Sequence, residues 1–100
     1  MEKMIATMTT KPNYESEIIK IVKGNGSPKV ILNQLENYHG SDIADVMEQL
    51  NEQERRKIFR ICPAEILAEA FSHLEETQAG AYLNEIPLKK VTEILAELET

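Results

Sequence analysis

The 100-residue sequence holds a single cysteine, Cys62, so no disulfide can close within the chain, and this usage fits a reducing compartment. No apolar run approaches the roughly 18 to 20 residues that a bilayer span requires. The opening stretch from Met1 to Met8 is too short and too mixed for a secretory signal. A cytosolic chain that does not itself insert into a membrane is therefore expected. Positive charge is scarce in the longer part of the chain. Residues 1–40 carry five Lys against four Glu, whereas residues 41–100 carry six Lys and Arg against thirteen Asp and Glu. Nucleic acid is bound largely through Lys and Arg contacts to phosphate, so this balance argues against it. The same balance permits cations or a basic partner surface.

Motifs that carry chemistry are missing too. Gly24 and Gly26 stand in a turn without P-loop spacing or its Lys-Ser/Thr. His39 and His73 lack zinc-ligand spacing with Cys62 or with each other. No nucleophile–base pairing can be argued. An enzyme is not expected.

What the chain does hold is a period. Leu50, Leu74 and Leu98 are spaced by 24 residues, and their surroundings repeat with them. Ile43, Val46, Met47 and Leu50 answer to Leu67, Ala70, Phe71 and Leu74, and then to Val91, Ile94, Leu95 and Leu98. Each set is spaced i, i+3, i+4, i+7, the apolar stripe of an amphipathic helix. Between them, Ile58, Phe59 and Cys62 match Tyr82, Leu83 and Ile86, and Pro63 matches Pro87. Each unit reads as two helices of about 10 residues, about 15 Å long. Ser41 is expected to cap the helix carrying Ile43, with Asp42 and Asp45 in its positive first turn. Asn51 is expected to cap the next, with Glu54 closing a capping box. Pro63 and Pro87 suit first helical turns.

Helices this short are marginal alone and must bury their stripes on neighbouring units. The predicted fold is all-α: a right-handed superhelical array of short helix hairpins, armadillo-like, with a 24-residue repeat. Residues 13–23 and 28–38 suggest two further helices, split by Gly24-Asn25-Gly26-Ser27-Pro28, with Ile18, Ile19, Val22, Ile31, Leu32 and Leu35 facing the array. Residues 1–12 read as a flexible N-terminal segment, and residues 13–100 as one helical repeat domain. The third unit stops after its first helix, so its stripe is expected to be covered either by another molecule or, the favoured expectation, by the rest of a longer protein of which this chain is a piece.

The register of these repeats resembles the N-terminal cytosolic domain of the MgtE family of magnesium transporters. The likeness runs from about Asn33 to Leu98, with weaker agreement back to Tyr14. His39-Gly40-Ser41-Asp42-Ile43-Ala44-Asp45-Val46-Met47-Glu48-Gln49-Leu50 is similar to the family's H-P-x-D-I-A-x-L-L-E-x-L, with Gly40 in place of the usual Pro. The stretches Pro63 to Leu74 and Ile86 to Leu98 also look like their family counterparts. The resemblance implies a domain that precedes a pair of CBS domains and a membrane pore, in a full-length protein that is a homodimer at the cytosolic face of the membrane. It further implies gating of the pore by Mg²⁺-dependent docking on the CBS domains, since a hard divalent cation bridges facing carboxylates. Glu69 lines up with an acidic position that the family places at this regulatory interface. Other family acids lie beyond Leu98, so the resemblance implies an incomplete site and weak Mg²⁺ binding by this chain alone.

Plainer readings stand beside these. Glu69 is also a typical solvated residue of an amphipathic helix, and Asp42 and Asp45 suit helix N-terminal charges better than an acidic binding face. Arg55, Arg56, Lys57 and Arg60 form a basic cluster, read as a solvated face with Glu52–Arg56 pairing, with docking to an acidic partner as the remaining option. Cys62, Met47, Phe71 and Tyr82 fall on core registers. A helical scaffold for subunit stacking, as in the middle region of the flagellar motor-switch protein FliG, is the alternative function.

Overall fold

A computed structural model of the chain describes residues 14–99, and every regular element in that span is an α-helix. The elements are α1 (Tyr14–Lys23), α2 (Pro28–Leu35), α3 (Gly40–Met47), α4 (Glu52–Ile61), α5 (Ala64–Phe71), α6 (Glu76–Leu83) and α7 (Leu88–Glu99). Residues 1–12, expected as a flexible segment, lie outside the described residues.

The period governs where helices begin. α2, α4 and α6 start at residues 28, 52 and 76, and α3, α5 and α7 at residues 40, 64 and 88. The 24-residue spacing thus reaches back to α2, half a unit before the sequence stripe makes it visible. Gln34 hides the register, because it stands where α4 has the buried Ile58.

Local chemistry explains the starts of α2, α4 and α6. Ser27 Oγ accepts from the Val30 N–H at 3.3 Å, with Pro28 at the first helical position. Asn51 Oδ1 accepts from the Glu54 N–H at 2.8 Å while the Asn51 N–H donates to Glu54 Oε1 at 3.0 Å, a closed capping box. One unit later the Glu75 N–H donates to Gln78 Oε1 at 3.3 Å.

Three expected starts are displaced. The cap of α3 is His39, not Ser41, and the His39 N–H donates to Asp42 Oδ2 at 3.1 Å. Asp42 reaches back to close the turn, and Gly40 and Ser41 are already helical. Asp45 therefore falls beyond the first turn and is exposed. Pro63 is likewise the cap of α5, in extended conformation, and α7 begins one residue after Pro87. A proline ring disfavours helical geometry in the residue before it, so each Pro separates two helices.

The odd-numbered helices pack in succession, α1 on α3, α3 on α5 and α5 on α7, while α2 lies against α1 and α4, and α4 against α1. The body measures 53 × 30 × 23 Å. Most positions the period names form the core: Ile43, Val46, Met47, Leu50, Ile58, Phe59, Cys62, Leu67, Ala70, Phe71, Tyr82, Ile86 and Ile94 are buried, while Leu74, Leu83 and Val91 are half-buried beside them. Ile18, Val22, Ile31 and Leu35 join it from α1 and α2, with Ile19 and Leu32 half-buried beside them. The third stripe divides. Ile94 is fully buried against α5, whereas Leu95 and Leu98 keep 43% and 44% of their surface. Tyr38 fastens the first hairpin: its hydroxyl donates to a Glu17 carboxylate oxygen at 2.8 Å, and its ring meets Tyr14 edge-on at 5.5 Å. The bond to Glu17 raises the Tyr38 pKa, because the carboxylate needs the phenol to keep its proton.

Candidate functional site

The outer face of α5 carries Glu65 and Glu69, four residues apart and therefore one above the other. Their neighbours Leu67, Ala68, Ala70 and Phe71 take the inner face, which leaves both carboxylates exposed. The end of α5 is closed beneath them, where Ser72 Oγ donates to the Glu69 carbonyl at 2.7 Å. Across from α5, the start of α3 comes unusually close. A Cβ on Gly40 would lie 2.6 Å from Glu69 Cγ, 2.9 Å from the Glu69 carbonyl carbon and 3.0 Å from the Ala70 nitrogen. Only glycine allows this approach, and it seats the stem of Glu69 against α3 while the carboxylate faces solvent.

Glu69 also borders a shallow cleft of about 290 Å³ between α5 and α7, with Glu65, Ala68, Ser72, Glu97 and Leu98. Three carboxylates thus share one cleft. They do not converge: among the described residues no group of three or more His, Cys, Asp or Glu side chains is placed to hold a metal ion. Oxygen donors of this kind suit a hard cation such as Mg²⁺, which takes several ligands at close to octahedral geometry. The chemistry fits and the number does not.

The other candidates separate. Asp42 is occupied with the His39 N–H, and His39 and His73 are exposed at helix ends. Cys62 is fully buried, and its burial pushes the thiol pKa up to about 12, so it is an apolar core residue and not a nucleophile.

A family model described as the MgtE intracellular N domain matches residues 38–100. The chain belongs to this family. No curated protein matches the chain, and no solved structure does. The match covers α3 to α7, the elements whose register carries the resemblance in the sequence. No described helix is long and apolar enough to cross a membrane.

In this MgtE intracellular N domain, the basic cluster of α4 is not the uniform solvated face its composition suggests. Arg56 does pair with Glu52 at 2.7 Å, and both side chains are more than half exposed. Arg55 points inward. Its Nε and Nη2 donate to the two oxygens of Glu85 at 2.9 and 2.8 Å, and its Nη1 donates to the Leu50 carbonyl at 2.6 Å. The guanidinium also lies 4.8 Å from the Tyr82 ring centre. The bonds to Glu85 raise its pKa further above the usual range. Lys57 Nζ donates to the carbonyls of Val22 and Gly24 at 2.7 and 3.1 Å, closing the end of α1. Lys23 returns the link, donating to Glu54 Oε2 at 2.6 Å, and this bond lowers the Glu54 pKa.

The period explains the inward turn. Arg55 stands 24 residues after Ile31, a buried position of α2. An arginine in a core slot needs carbonyls and a carboxylate, and the α3–α4 and α6–α7 turns supply them.

Proposed function

We propose that this chain is the cytosolic regulatory part of a magnesium transporter, and that its array of hairpins winds as a right-handed, armadillo-like superhelix. In this reading the α5 face, with Glu69 at its centre, docks on a CBS pair of the same full-length homodimer and favours the closed pore when Mg²⁺ is abundant. The observation that carries it is the Glu69 carboxylate, held at its stem by Gly40 and free at its tip, in a cleft with Glu65 and Glu97. When bound, a divalent cation supplies neutralisation of facing carboxylates. Glu69 presents one such carboxylate, and Glu65 and Glu97 keep the potential of the cleft negative. Because three ligands do not converge within the described residues, this chain alone offers a weak, incomplete site and the docked partner completes it.

The test is compaction of the full-length transporter in detergent, followed by small-angle scattering during a Mg²⁺ titration. Compaction with Mg²⁺ is expected in the wild type, with the midpoint moved to higher Mg²⁺ in Glu69→Ala. An unchanged midpoint in Glu69→Ala removes Glu69 from the sensor, and absence of compaction in the wild type removes the docking mechanism altogether.

The exposure of Leu95 and Leu98 on α7 favours a second reading, a scaffold that stacks through this helix. A solution mass that rises with concentration and reverts to monomer in Leu95→Glu would support it.

A further inference from the structure

All six cationic residues of positions 41–100 stand on two elements, Arg55, Arg56, Lys57 and Arg60 on α4, and Lys89 and Lys90 in the first turn of α7. Arg55 and Lys57 are held on backbone carbonyls, as described. Three of the others border a cleft of about 340 Å³ lined by Arg56, Phe59, Arg60, Glu85, Pro87 and Lys90. Glu85 is the one carboxylate on this rim, and both its oxygens are bonded to Arg55. Its charge is therefore compensated from the inner side. Arg56 shares Glu52 at the surface, while neither Arg60 nor Lys90 has an ion pair among the described residues. Phe59 and Pro87 supply the apolar part of the lining.

We infer that this cleft docks an acidic peptide segment of a partner protein, with carboxylates on Arg60 and Lys90 and an apolar side chain between them against the exposed Pro87. Charge complementarity selects this occupant. Two cations without an ion pair among the described residues, in a chain of net charge −6, form a local positive site in a negative surface. An extended polyanion meets the surrounding acids, which include Glu52 and Glu93 on the same two helices. A short segment confined to the cleft meets fewer of these acids than a polyanion running along the surface does. Nucleic acid would also want exposed aromatic faces for its bases, and Phe59 is only 2% exposed. The cleft shares no residue with the one that Glu69 borders, so this inference stands independently of the magnesium-sensing reading.

The probe is a random peptide display library panned against the 100-residue chain, with recovered peptides synthesised and titrated by fluorescence anisotropy. The expected result is enrichment of peptides with Asp or Glu on both sides of an apolar residue, and affinity that falls as salt is added. Binding should weaken about tenfold or more in Arg60→Glu/Lys90→Glu, since two exposed pairs are lost and replaced by like charges. The Lys20→Glu/Lys29→Glu variant, with the same change in net charge near the other end of the array, should bind as the wild type does. Helical circular dichroism of both variants separates lost binding from lost fold, and Arg60→Gln/Lys90→Gln repeats the measurement without added acids. Recovery of peptides with no acidic pattern overturns the inference, as does binding indifferent to Arg60 and Lys90. Binding of phosphatidylserine vesicles or single-stranded RNA through these residues, without peptide binding, overturns it as well.

Discussion

Replacing Arg55 by Ala removes a residue that ties three parts of the array together. The wild-type guanidinium makes two charge-assisted bonds to Glu85 and one to the Leu50 carbonyl, and it covers the Tyr82 ring. Breaking a fully buried ion pair by deleting one partner costs about 3–5 kcal/mol, because the remaining charge is left uncompensated. Here the Arg55 and Glu85 side chains keep 15% and 16% of their exposure, so water reaches the orphaned carboxylate. That screening brings the expected loss to about 2–3 kcal/mol. In a domain of this size each kcal/mol moves the melting temperature by about 4–8 °C, so Arg55→Ala should melt about 10–20 °C lower. Arg56→Ala is the matched control. Its pair with Glu52 is a surface i, i+4 contact, 54% and 55% exposed. Its loss should cost only about 0.3–0.5 kcal/mol. Thermal and urea unfolding followed by circular dichroism reads both, and a double-mutant cycle with Glu85→Ala should return a coupling of at least about 1 kcal/mol. Equal stability of Arg55→Ala and Arg56→Ala would refute the inward strut, and so would a coupling indistinguishable from zero.

Two more outcomes follow from the packing. Gly40→Ala should destabilise by about 1–3 kcal/mol, because the new methyl meets the α5 backbone at Glu69 and Ala70 and the helices must part; chemical denaturation checks this, and a neutral result would mean that α3 and α5 are not so close. The Cys62 thiol should resist a disulfide reagent at neutral pH until the chain unfolds. Its folded pKa of about 12 lies above the ordinary 9.0, so the folded state disfavours the thiolate. The sign follows: stability from this group is intact below pH 9 and falls as pH rises from there towards 12, with the linked loss read as a falling urea midpoint over that range.

Much of this architecture is written in the spacing of apolar residues. The 24-residue stripe names nearly every core side chain of α3 to α6, and Asn51 with Glu54 announces its own cap. These features are local, since a helix stripe or a capping box depends on residues within two turns of one another. The register of α2 is harder to read, because Gln34 breaks the stripe where α4 has Ile58. The start of α3 misleads for a related reason: Ser41 is a good capping residue, yet Asp42 is placed to close on His39.

What only the tertiary structure decided concerns residues far apart in the chain. Arg55 and Glu85 are 30 positions apart, and although the 24-residue register sets Arg55 on the buried position of Ile31, nothing in the sequence says which carboxylate meets it there. The same holds for Gly40, whose value lies in the backbone of α5, and for Glu69, which is an ordinary surface acid until Gly40 and the α5–α7 cleft give it a place. Periodicity determines which face of α3, α4 and α5 is buried, because burial of apolar surface is non-directional and needs only the stripe. Directional contacts between charges, carbonyls and closely approaching backbones depend on how the helices sit against one another, and that is settled by the packing of the whole array.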